Sequence, residues 1–214
     1  MIGADVLRDC RLYGIVDLGY VAASDVDGVA TAMMVGGVDI IQLRGKQQTP
    51  DELMEIARRL HRLTREARVP LVINDHPLIA RDLGAEGVHV GQDDVSVAEA
   101  RQVVGNDSFV GKSTHSFEQA TRAATEGADY IGFGPLFATP TKPDYSPIGL
   151  VDIARAHETV SLPIFCIGGI KQSNLPQVIA AGGCRVVIVS EMLQTADVAA
   201  YARTVKSVLR SATL

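Results

Sequence analysis

The sequence contains no tryptophan, and aromatic residues occupy only 5% of its 214 positions. We therefore expect a core built mainly from Val, Ile, Leu and Ala. No apolar run approaches the roughly 18–20 residues that a membrane span needs. The N-terminus also lacks the basic and apolar segments of a signal peptide. These absences predict a protein that stays in the cytoplasm and has no membrane partner.

Cysteine and positive charge are scarce as well. The three cysteines, Cys10, Cys166 and Cys184, form no CxxC motif and leave one unpaired, which argues against a disulfide scaffold or a zinc knuckle. Their apolar neighbours predict buried, inert thiols. The net charge is −5, and no long basic run is present. Nucleic acid is therefore disfavoured as the main partner.

Short β-branched runs alternate with amphipathic stretches along the whole chain. Runs that are apolar on both faces are typical of strands in a parallel sheet covered by helices. Eight such strands and eight helices predict a single (β/α)8 barrel domain over residues 1–214. An open doubly wound sheet is the rival, but it usually stops at about five or six strands. The predicted strands are Arg11–Asp17, Val38–Arg44, Leu71–Asn74, Gly87–Val90, Phe109–Lys112, Tyr130–Gly134, Ile164–Ile167 and Val186–Ser190.

Polar residues at the end of the second predicted strand indicate an anion site. Gln42, Arg44 and Lys46 alternate with Leu43 and Gly45, so the three polar side chains share one side of an extended chain. Arginine suits bidentate phosphate contact, and lysine supplies a point charge. Glycine between them would keep the backbone open to a ligand. A solvated strand end is the alternative interpretation.

Acidic residues follow the third and fourth predicted strands. Asn74 and Asp75 end one run, and Asp94 lies shortly after the next. The ends of neighbouring parallel strands meet at one rim, so two carboxylates would lie beside the cations. Mg²⁺ commonly takes one or two carboxylates together with substrate phosphate. A magnesium–diphosphate site is therefore predicted, although an Asn-Asp pair can also simply cap the following helix.

Hydroxyl and basic groups follow the fifth and sixth predicted strands. Ser113 is expected at the barrel mouth, and His115 is either a general acid or base or a residue packed at a helix start. No acidic partner for a Ser–His pair can be identified, which disfavours a hydrolase. The long loop after the sixth strand contains Thr139, Thr141 and Lys142, and we interpret it as a substrate-binding loop.

The last two predicted strands end in small residues. Gly168-Gly169 follows the seventh strand and Ser190 ends the eighth, a common place for a phosphate site in such barrels. A tight turn that needs glycine for geometry alone is the alternative. If both anion sites exist, the protein binds two phosphorylated ligands.

These residues resemble the thiamine phosphate synthase family. The motifs Gln-Leu-Arg-x-Lys, Ile-Asn-Asp, Gly-Val-His-x-Gly-Gln-Asp-Asp, Gly-x-Ser-x-His, Gly-Pro-x-Phe-x-Thr-x-Thr-Lys, Ile-Gly-Gly-Ile and Val-Ser occur in the family's order between Leu12 and Ser190. Any one of them is weak, whereas seven in register are specific.

The resemblance implies a transferase of thiamine biosynthesis with a (β/α)8 fold. It would join 4-amino-5-hydroxymethyl-2-methylpyrimidine diphosphate to a thiazole ethyl phosphate, or to its carboxylated form with decarboxylation, and release diphosphate. The small-molecule substrates and Mg²⁺ would be its ligands, and a homo-oligomer is compatible with the sequence. Charge stabilisation of the departing diphosphate implies a dissociative mechanism.

The resemblance also implies roles for individual residues. Catalysis would involve Arg44, Lys46, Ser113 and Lys142. The pyrimidine diphosphate site would comprise Gln42, Leu43, Arg44, Gly45, Lys46, Asn74, Ser113 and Lys142. The thiazole phosphate site would comprise Thr139, Pro140, Thr141, Gly169, Val189 and Ser190, and the magnesium ligands would be Asp75 and Asp94.

The chain departs from the family pattern at a few positions. Gly45 stands where an acidic residue is frequent, Glu191 where a small residue is usual, and Phe165-Cys166 where smaller residues precede the double glycine. We expect Glu191 to point into the following helix, away from the phosphate.

Three other functions are alternatives. A related tautomerase of the thiazole would use a histidine at the position of His115, but such proteins generally lack the Asn-Asp and Gln-Asp-Asp pairs found here. A catalytically silent regulator would not need a complete set of diphosphate-binding residues. For a phosphate-binding barrel enzyme of tryptophan biosynthesis, this sequence contains no comparable set of motifs in order.

Overall fold

A closed barrel of eight parallel strands forms the centre of the molecule, as predicted. The structure is a computed structural model and describes residues 6–139 and 146–210. Each strand pairs with the next, and β1 pairs with β8 to close the barrel. The strands are β1 Leu12–Asp17, β2 Ile40–Arg44, β3 Leu71–Asn74, β4 Gly87–Val90, β5 Phe109–Thr114, β6 Tyr130–Phe133, β7 Ile164–Cys166 and β8 Val186–Ile188.

Helices follow the strands and cover the barrel. They are α1 Val6–Asp9, α2 Val26–Val35, α3 Pro50–Ala67, α4 Pro77–Leu83, α5 Val97–Val104, α6 Phe117–Thr125, α7 Ile153–Thr159, α8 Leu175–Ala180, α9 Ser190–Gln194 and α10 Val198–Arg210. Thr49 and Ser96 begin α3 and α5 with complete capping boxes, which satisfy the first free N–H groups of each helix. None of the helices within the described residues is both long and apolar enough to cross a bilayer.

Two helices were not predicted. Helix α1 is a single turn before β1, and its Leu7 is fully buried in the cluster inside the barrel. Helix α9 begins at Ser190, so β8 ends two residues earlier than the predicted strand Val186–Ser190. Ser190 therefore lies at the start of a short helix rather than in a strand.

The core has two layers of different composition. Aliphatic side chains fill the space between the strands and the helices, as the composition predicts. The barrel interior instead contains a cluster in which Tyr13, Phe109, Tyr130 and Phe165 are 2% exposed or less. Four of the chain's ten aromatic residues therefore lie where large side chains fill the interior of the barrel. The three cysteines are free and buried, as predicted.

Strand register brings polar residues, including the predicted Arg44 and Asn74, to one end of the barrel. Asp17 of β1 lies opposite Arg44 of β2, and Asn74 of β3 lies opposite His89 of β4. Because all strands run parallel, their carboxyl ends form one mouth, where enzymes of this fold bind their ligands.

Candidate active site

A cavity opens at the carboxyl ends of the strands. Predicted site residues that line it are Gln42, Arg44, Asn74, Ser113, Thr139, Gly169, Val189 and Ser190. Leu43 differs, because its side chain is fully buried in the layer between the barrel and the helices. Any contact of Leu43 with a ligand would therefore come from its backbone. Pro140, Thr141 and Lys142 lie outside the described residues.

The guanidinium of Arg44 is held by a buried carboxylate. Its Nη1 donates to Oδ2 of Asp17 at 2.6 Å, and the Asp17 side chain is only 2% exposed. The other oxygen of Asp17 accepts the backbone N–H of Gly19 at 2.9 Å. Asp17 therefore fixes one edge of the guanidinium, and the remaining N–H groups of Arg44 are oriented before any ligand binds.

Lys46, Asp75 and Asp94 form a charged cluster at the rim. Lys46 Nζ contacts Oδ2 of Asp75, and the Asp94 carboxyl lies within hydrogen-bonding reach of Asp75. Burial raises the pKa of the Asp75 carboxyl, Asp94 raises this pKa further, and Lys46 partly offsets both effects. Asp75 also adopts a left-handed backbone with φ of 62° and donates its N–H to the His89 carbonyl oxygen at 2.8 Å. Such backbone strain costs about 1–3 kcal/mol and is concentrated at functional sites.

The two adjacent carboxylates fit a hard divalent cation. Each offers oxygen atoms, the ligand type that Mg²⁺ prefers. Within residues 6–139 and 146–210, no group of three or more His, Cys, Asp or Glu side chains is arranged to hold a metal. A cation at Asp75 and Asp94 would therefore complete its shell with water or with substrate oxygens, which matches the usual use of Mg²⁺ with phosphates.

Uncharged polar groups form the floor of the cavity. Gln42 Nε2 donates to the Tyr13 hydroxyl at 2.8 Å, and the Tyr13 and Tyr130 hydroxyls lie 3.0 Å apart. The Tyr130 hydroxyl lies 3.0 Å from Nδ1 of His89, and Nε2 of His89 lies 2.9 Å from Oγ of Ser113. Burial raises the pKa of both tyrosines, so both hydroxyls keep their protons at neutral pH.

His115 also lines the cavity. Its Nδ1 contacts the carbonyl oxygen of Gly134, an atom that can only accept a hydrogen bond. Nδ1 therefore carries a proton, and Nε2 of the neutral ring is the acceptor. This arrangement leaves both interpretations of His115 open, because a packed histidine and a general base can share it.

The side of the mouth after β7 is built from backbone and small residues. Gly168 and Gly169 have φ of 95° and 64°, and a Cβ on Gly169 would lie 2.5 Å from the Ala138 carbonyl oxygen. The positive φ angles and the lack of space for a Cβ therefore favour glycine at both positions, in agreement with the tight-turn interpretation. Asn174 steadies the turn, since its Nδ2 donates to the Gly169 carbonyl oxygen and its Oδ1 accepts the N–H of Lys171.

Glu191 follows Ser190, and hydrogen bonds hold its carboxylate in place. Its Oε2 atom accepts hydrogen bonds from the backbone N–H of Gln172, at 3.0 Å, and from the hydroxyl of Tyr201. The carboxylate is thus engaged by the β7–α8 loop and by α10. The contact with Tyr201 agrees with the expectation that Glu191 points toward the following helix, and its orientation relative to a bound phosphate stays a prediction.

Gly45 packs closely against neighbouring side chains. A Cβ there would lie 2.7 Å from Oε1 of Gln48 and 3.0 Å from side-chain carbons of Leu18 and Leu53. The missing side chain makes room for these neighbours, and ligand access to the Gly45 backbone stays a prediction. A side chain at this position would require the ends of Gln48, Leu18 and Leu53 to move aside.

Four polar residues of this cavity were not predicted as site residues: Tyr13, Asp17, His89 and Tyr130. Each lies within a predicted strand, where it forms part of an apolar run or of a motif. The alternation of side chains along a strand could have revealed two of them. Tyr13 and Asp17 are four residues apart in β1, so their side chains lie on the same face of the strand. A polar residue that faces the interior of a small barrel needs a buried partner.

Comparison with known proteins supports the resemblance found in the motifs. A family model described as thiamine monophosphate synthase matches residues 12–192. Thiamine-phosphate synthase of Halalkalibacterium halodurans is 42% identical over 193 residues, 90% of this chain and 92% of that protein. The enzyme of the same name from Chloroflexus aurantiacus is 42% identical over 202 residues, 94% of this chain and 93% of that protein. The solved thiamine phosphate pyrophosphorylase of Pyrococcus furiosus has a TM-score of 0.87 and 28% identity, with 98% of this chain and 100% of that chain covered. The chain therefore belongs to the thiamine monophosphate synthase family of enzymes.

Proposed function

We propose that the protein joins an aminopyrimidine methyl diphosphate to a thiazole ethyl phosphate and releases diphosphate, with thiamine phosphate as the product. The observation that carries this proposal is the charged rim of Arg44, Lys46, Asp75 and Asp94 beside a cavity with an uncharged polar floor. A diphosphate and a flat heteroaromatic ring need these two environments next to each other. Family membership supports the same reaction.

The rim residues bind the diphosphate. Arg44 is already oriented by Asp17 and offers parallel N–H groups, whereas Lys46 supplies a compact charge on a half-exposed side chain. When bound, Mg²⁺ at Asp75 and Asp94 would add positive charge beside the leaving oxygens. The expected contribution of Lys142 comes from the loop after β6.

The reaction proceeds by dissociation. The bond between the pyrimidine methylene carbon and the diphosphate oxygen breaks, and both electrons leave with diphosphate. The amino group of the pyrimidine delocalises the positive charge on the methylene carbon, and the thiazole nitrogen then donates its electron pair to that carbon. No proton transfer is needed in either step, so positioning and electrostatic stabilisation supply the rate.

The second phosphate binds on the opposite side of the mouth. Gly169, Val189 and Ser190 line the cavity there, and the Ser190 hydroxyl stands at the start of α9. Thr139 lies close by, because Phe137 N–H donates to the Gly168 carbonyl oxygen at 3.0 Å and ties the β6–α7 loop to the β7–α8 loop. The thiazole would therefore approach from β7 and β8.

One incubation tests the reaction. The protein, both substrates and Mg²⁺ should give thiamine phosphate and stoichiometric diphosphate, measured by chromatography. A carboxylated thiazole phosphate supplied in parallel should reveal whether carbon dioxide is released. Isomerisation of the thiazole without product would favour the tautomerase instead, with His115 as the base.

A binding experiment tests the cation site separately. Calorimetry with Mg²⁺ and inorganic diphosphate should show binding to the unaltered protein and at least a tenfold loss in Asp94→Ala. Asp93→Ala is the matched control, because it removes the same side chain at the exposed neighbouring position. Equal affinities for the two variants would exclude Asp94 as a ligand.

A further inference from the structure

A continuous chain of hydrogen bonds crosses the interior of the barrel from Gln42 to Ser113. It passes through the Tyr13 hydroxyl, the Tyr130 hydroxyl and both ring nitrogens of His89, with successive separations of 2.8, 3.0, 3.0 and 2.9 Å. These five side chains come from five different strands. The chain therefore links opposite walls of the cavity without an Asp, Glu, Lys or Arg side chain.

The amide of Gln42 gives the chain a direction. Its Nε2 can only donate, so the Tyr13 oxygen accepts. Among the described residues, Tyr130 is the only other group that hydrogen-bonds the Tyr13 hydroxyl, so the Tyr13 proton points to the Tyr130 oxygen. The Tyr130 proton then points to Nδ1 of His89. A neutral ring that accepts at Nδ1 carries its proton at Nε2, which donates to Oγ of Ser113.

The packing leaves little room for another arrangement of the rings. Tyr130 is fully buried, and its ring lies 6.0 Å from the ring of Phe109 and 5.6 Å from that of Phe165, both edge-on. Gly111 of β5 lies between His89 of β4 and Tyr130 of β6 in the sheet. A Cβ on Gly111 would be 2.1 Å from Cζ of Tyr130 and 2.5 Å from Nδ1 of His89. The absence of a side chain at Gly111 thus permits the contact between Tyr130 and His89.

We propose that Tyr13, Tyr130 and His89 act as a directional relay that makes the Ser113 hydroxyl a donor toward the bound ligand whenever the Gln42 amide nitrogen donates to Tyr13. In this state the amide oxygen of Gln42 accepts from an N–H of the ligand. Rotation of the amide by half a turn would reverse every bond, so that Ser113 donates to His89 and offers only lone pairs to the ligand. The relay therefore selects a heteroaromatic ring that donates at Gln42 and accepts at Ser113.

The three relay residues are positioning residues, since they act on the ligand through Gln42 and Ser113. The tautomer of His89 reports the direction of the relay in the ligand-free protein. The effect on turnover rests on the proposed function, and the two can be measured independently.

Nuclear magnetic resonance of the protein labelled with ¹⁵N in histidine tests the direction. Two-bond proton–nitrogen correlations should show His89 as the neutral Nε2–H tautomer, assigned by its loss in His89→Gln. Tyr13→Phe should convert His89 to a mixture of tautomers, although the Tyr13 hydroxyl bonds to Gln42 and Tyr130 rather than to His89. Tyr201→Phe is the matched control, because it removes the same hydroxyl from a hydrogen-bonded tyrosine outside the relay and should leave the His89 signals unchanged.

Two results would overturn the relay. One is the Nδ1–H tautomer of His89 in the unaltered protein, and the other is a pure Nε2–H tautomer that persists in Tyr13→Phe. A backbone spectrum of Tyr13→Phe that otherwise matches the unaltered protein confirms that the variant is folded.

Steady-state kinetics then tests the consequence for the reaction. Tyr13→Phe should lower kcat about tenfold, the effect of losing one oriented hydrogen bond in the transition state. In a Ser113→Ala background the same change should have no further effect, since the relay then has no end point. Additive effects would contradict a role through Ser113. Failure to form thiamine phosphate at all would overturn the proposed function and leave the spectroscopic result to decide the relay.

Discussion

The substitution Gly111→Ala, which adds one methyl group inside the barrel, should markedly lower the free energy of unfolding. The substitution Gly111→Ala places a Cβ 2.1 Å from Cζ and 2.4 Å from Cε1 of Tyr130, and 2.5 Å from Nδ1 of His89. Carbon atoms prefer separations of about 3.5–4.0 Å. The Tyr130 ring would therefore have to move by roughly 1 Å or more. It cannot do so freely, because the rings of Tyr13, Phe109 and Phe165 surround it.

The magnitude follows from two contributions. Overpacking of a dense interior typically costs about 1–3 kcal/mol, and loss of the hydrogen bond between Tyr130 and His89 adds about 1 kcal/mol. We therefore expect the free energy of unfolding of Gly111→Ala to fall by about 2–4 kcal/mol. For a chain of this size each kcal/mol lowers Tm by about 2–4 °C, which gives a decrease of about 5–15 °C.

A neighbouring glycine provides the matched control. In Gly132→Ala the new Cβ would lie 3.7 Å from Cε1 of His89 and 3.9 Å from Cγ2 of Ile167, which are ordinary contacts. Both substitutions restrict the unfolded chain equally, so that effect cancels in the comparison. Urea denaturation and calorimetry should give a change within about 1 kcal/mol for Gly132→Ala. Equal stabilities of the two variants would refute the assignment of close packing to Gly111.

Three further predictions concern charge and capping. Arg44→Lys should raise KM for the pyrimidine diphosphate about tenfold, because one ammonium cannot both pair with Asp17 and bind phosphate in a bidentate manner; an unchanged KM would contradict it. Thr49→Ala should lower the free energy of unfolding by about 1 kcal/mol in urea denaturation, through loss of the capping box of α3. The pKa of Glu86 lies below its usual 4.5. Burial alone would raise this pKa, but hydrogen bonds from His61 and from the backbone outweigh the effect of burial. The ionised group therefore stabilises the fold above pH 4.5, and the stability lost in Glu86→Gln should shrink as pH falls through the lowered pKa.

The barrel and its charged rim follow from sequence because their determinants are local. Strands buried on both faces appear as uninterrupted apolar runs, and their order along the chain is their order in the barrel. Once the strands are known, residues at their carboxyl ends must converge. Lys46, Asp75 and Asp94 could therefore be grouped before their contacts were known.

The interior relay could not be predicted in the same way. Which inward-facing side chains meet at one level depends on the stagger of all eight strands, a property of the closed barrel and not of any single segment. Tyr13 and Tyr130 are separated by 117 residues, yet their hydroxyls lie 3.0 Å apart. Helix α9 was missed for a different reason: the run Val186–Val189 has the composition of a strand, and Ser190 shows no sign that the chain has already left the sheet.

The charge balance of the rim bears directly on the proposed diphosphate site. Arg44 is paired with Asp17 and Lys46 with Asp75, and Asp94 adds a further carboxylate. Among the described residues, three carboxylates against two cations would repel a polyanion. In the proposed function, a divalent cation at the two adjacent carboxylates would reverse that balance while the existing pairs hold Arg44 and Lys46. The acidic residues of the rim would then serve anion binding as a cation site, whereas the relay beneath them would direct hydrogen bonds without an acidic or basic side chain next to the reacting ring.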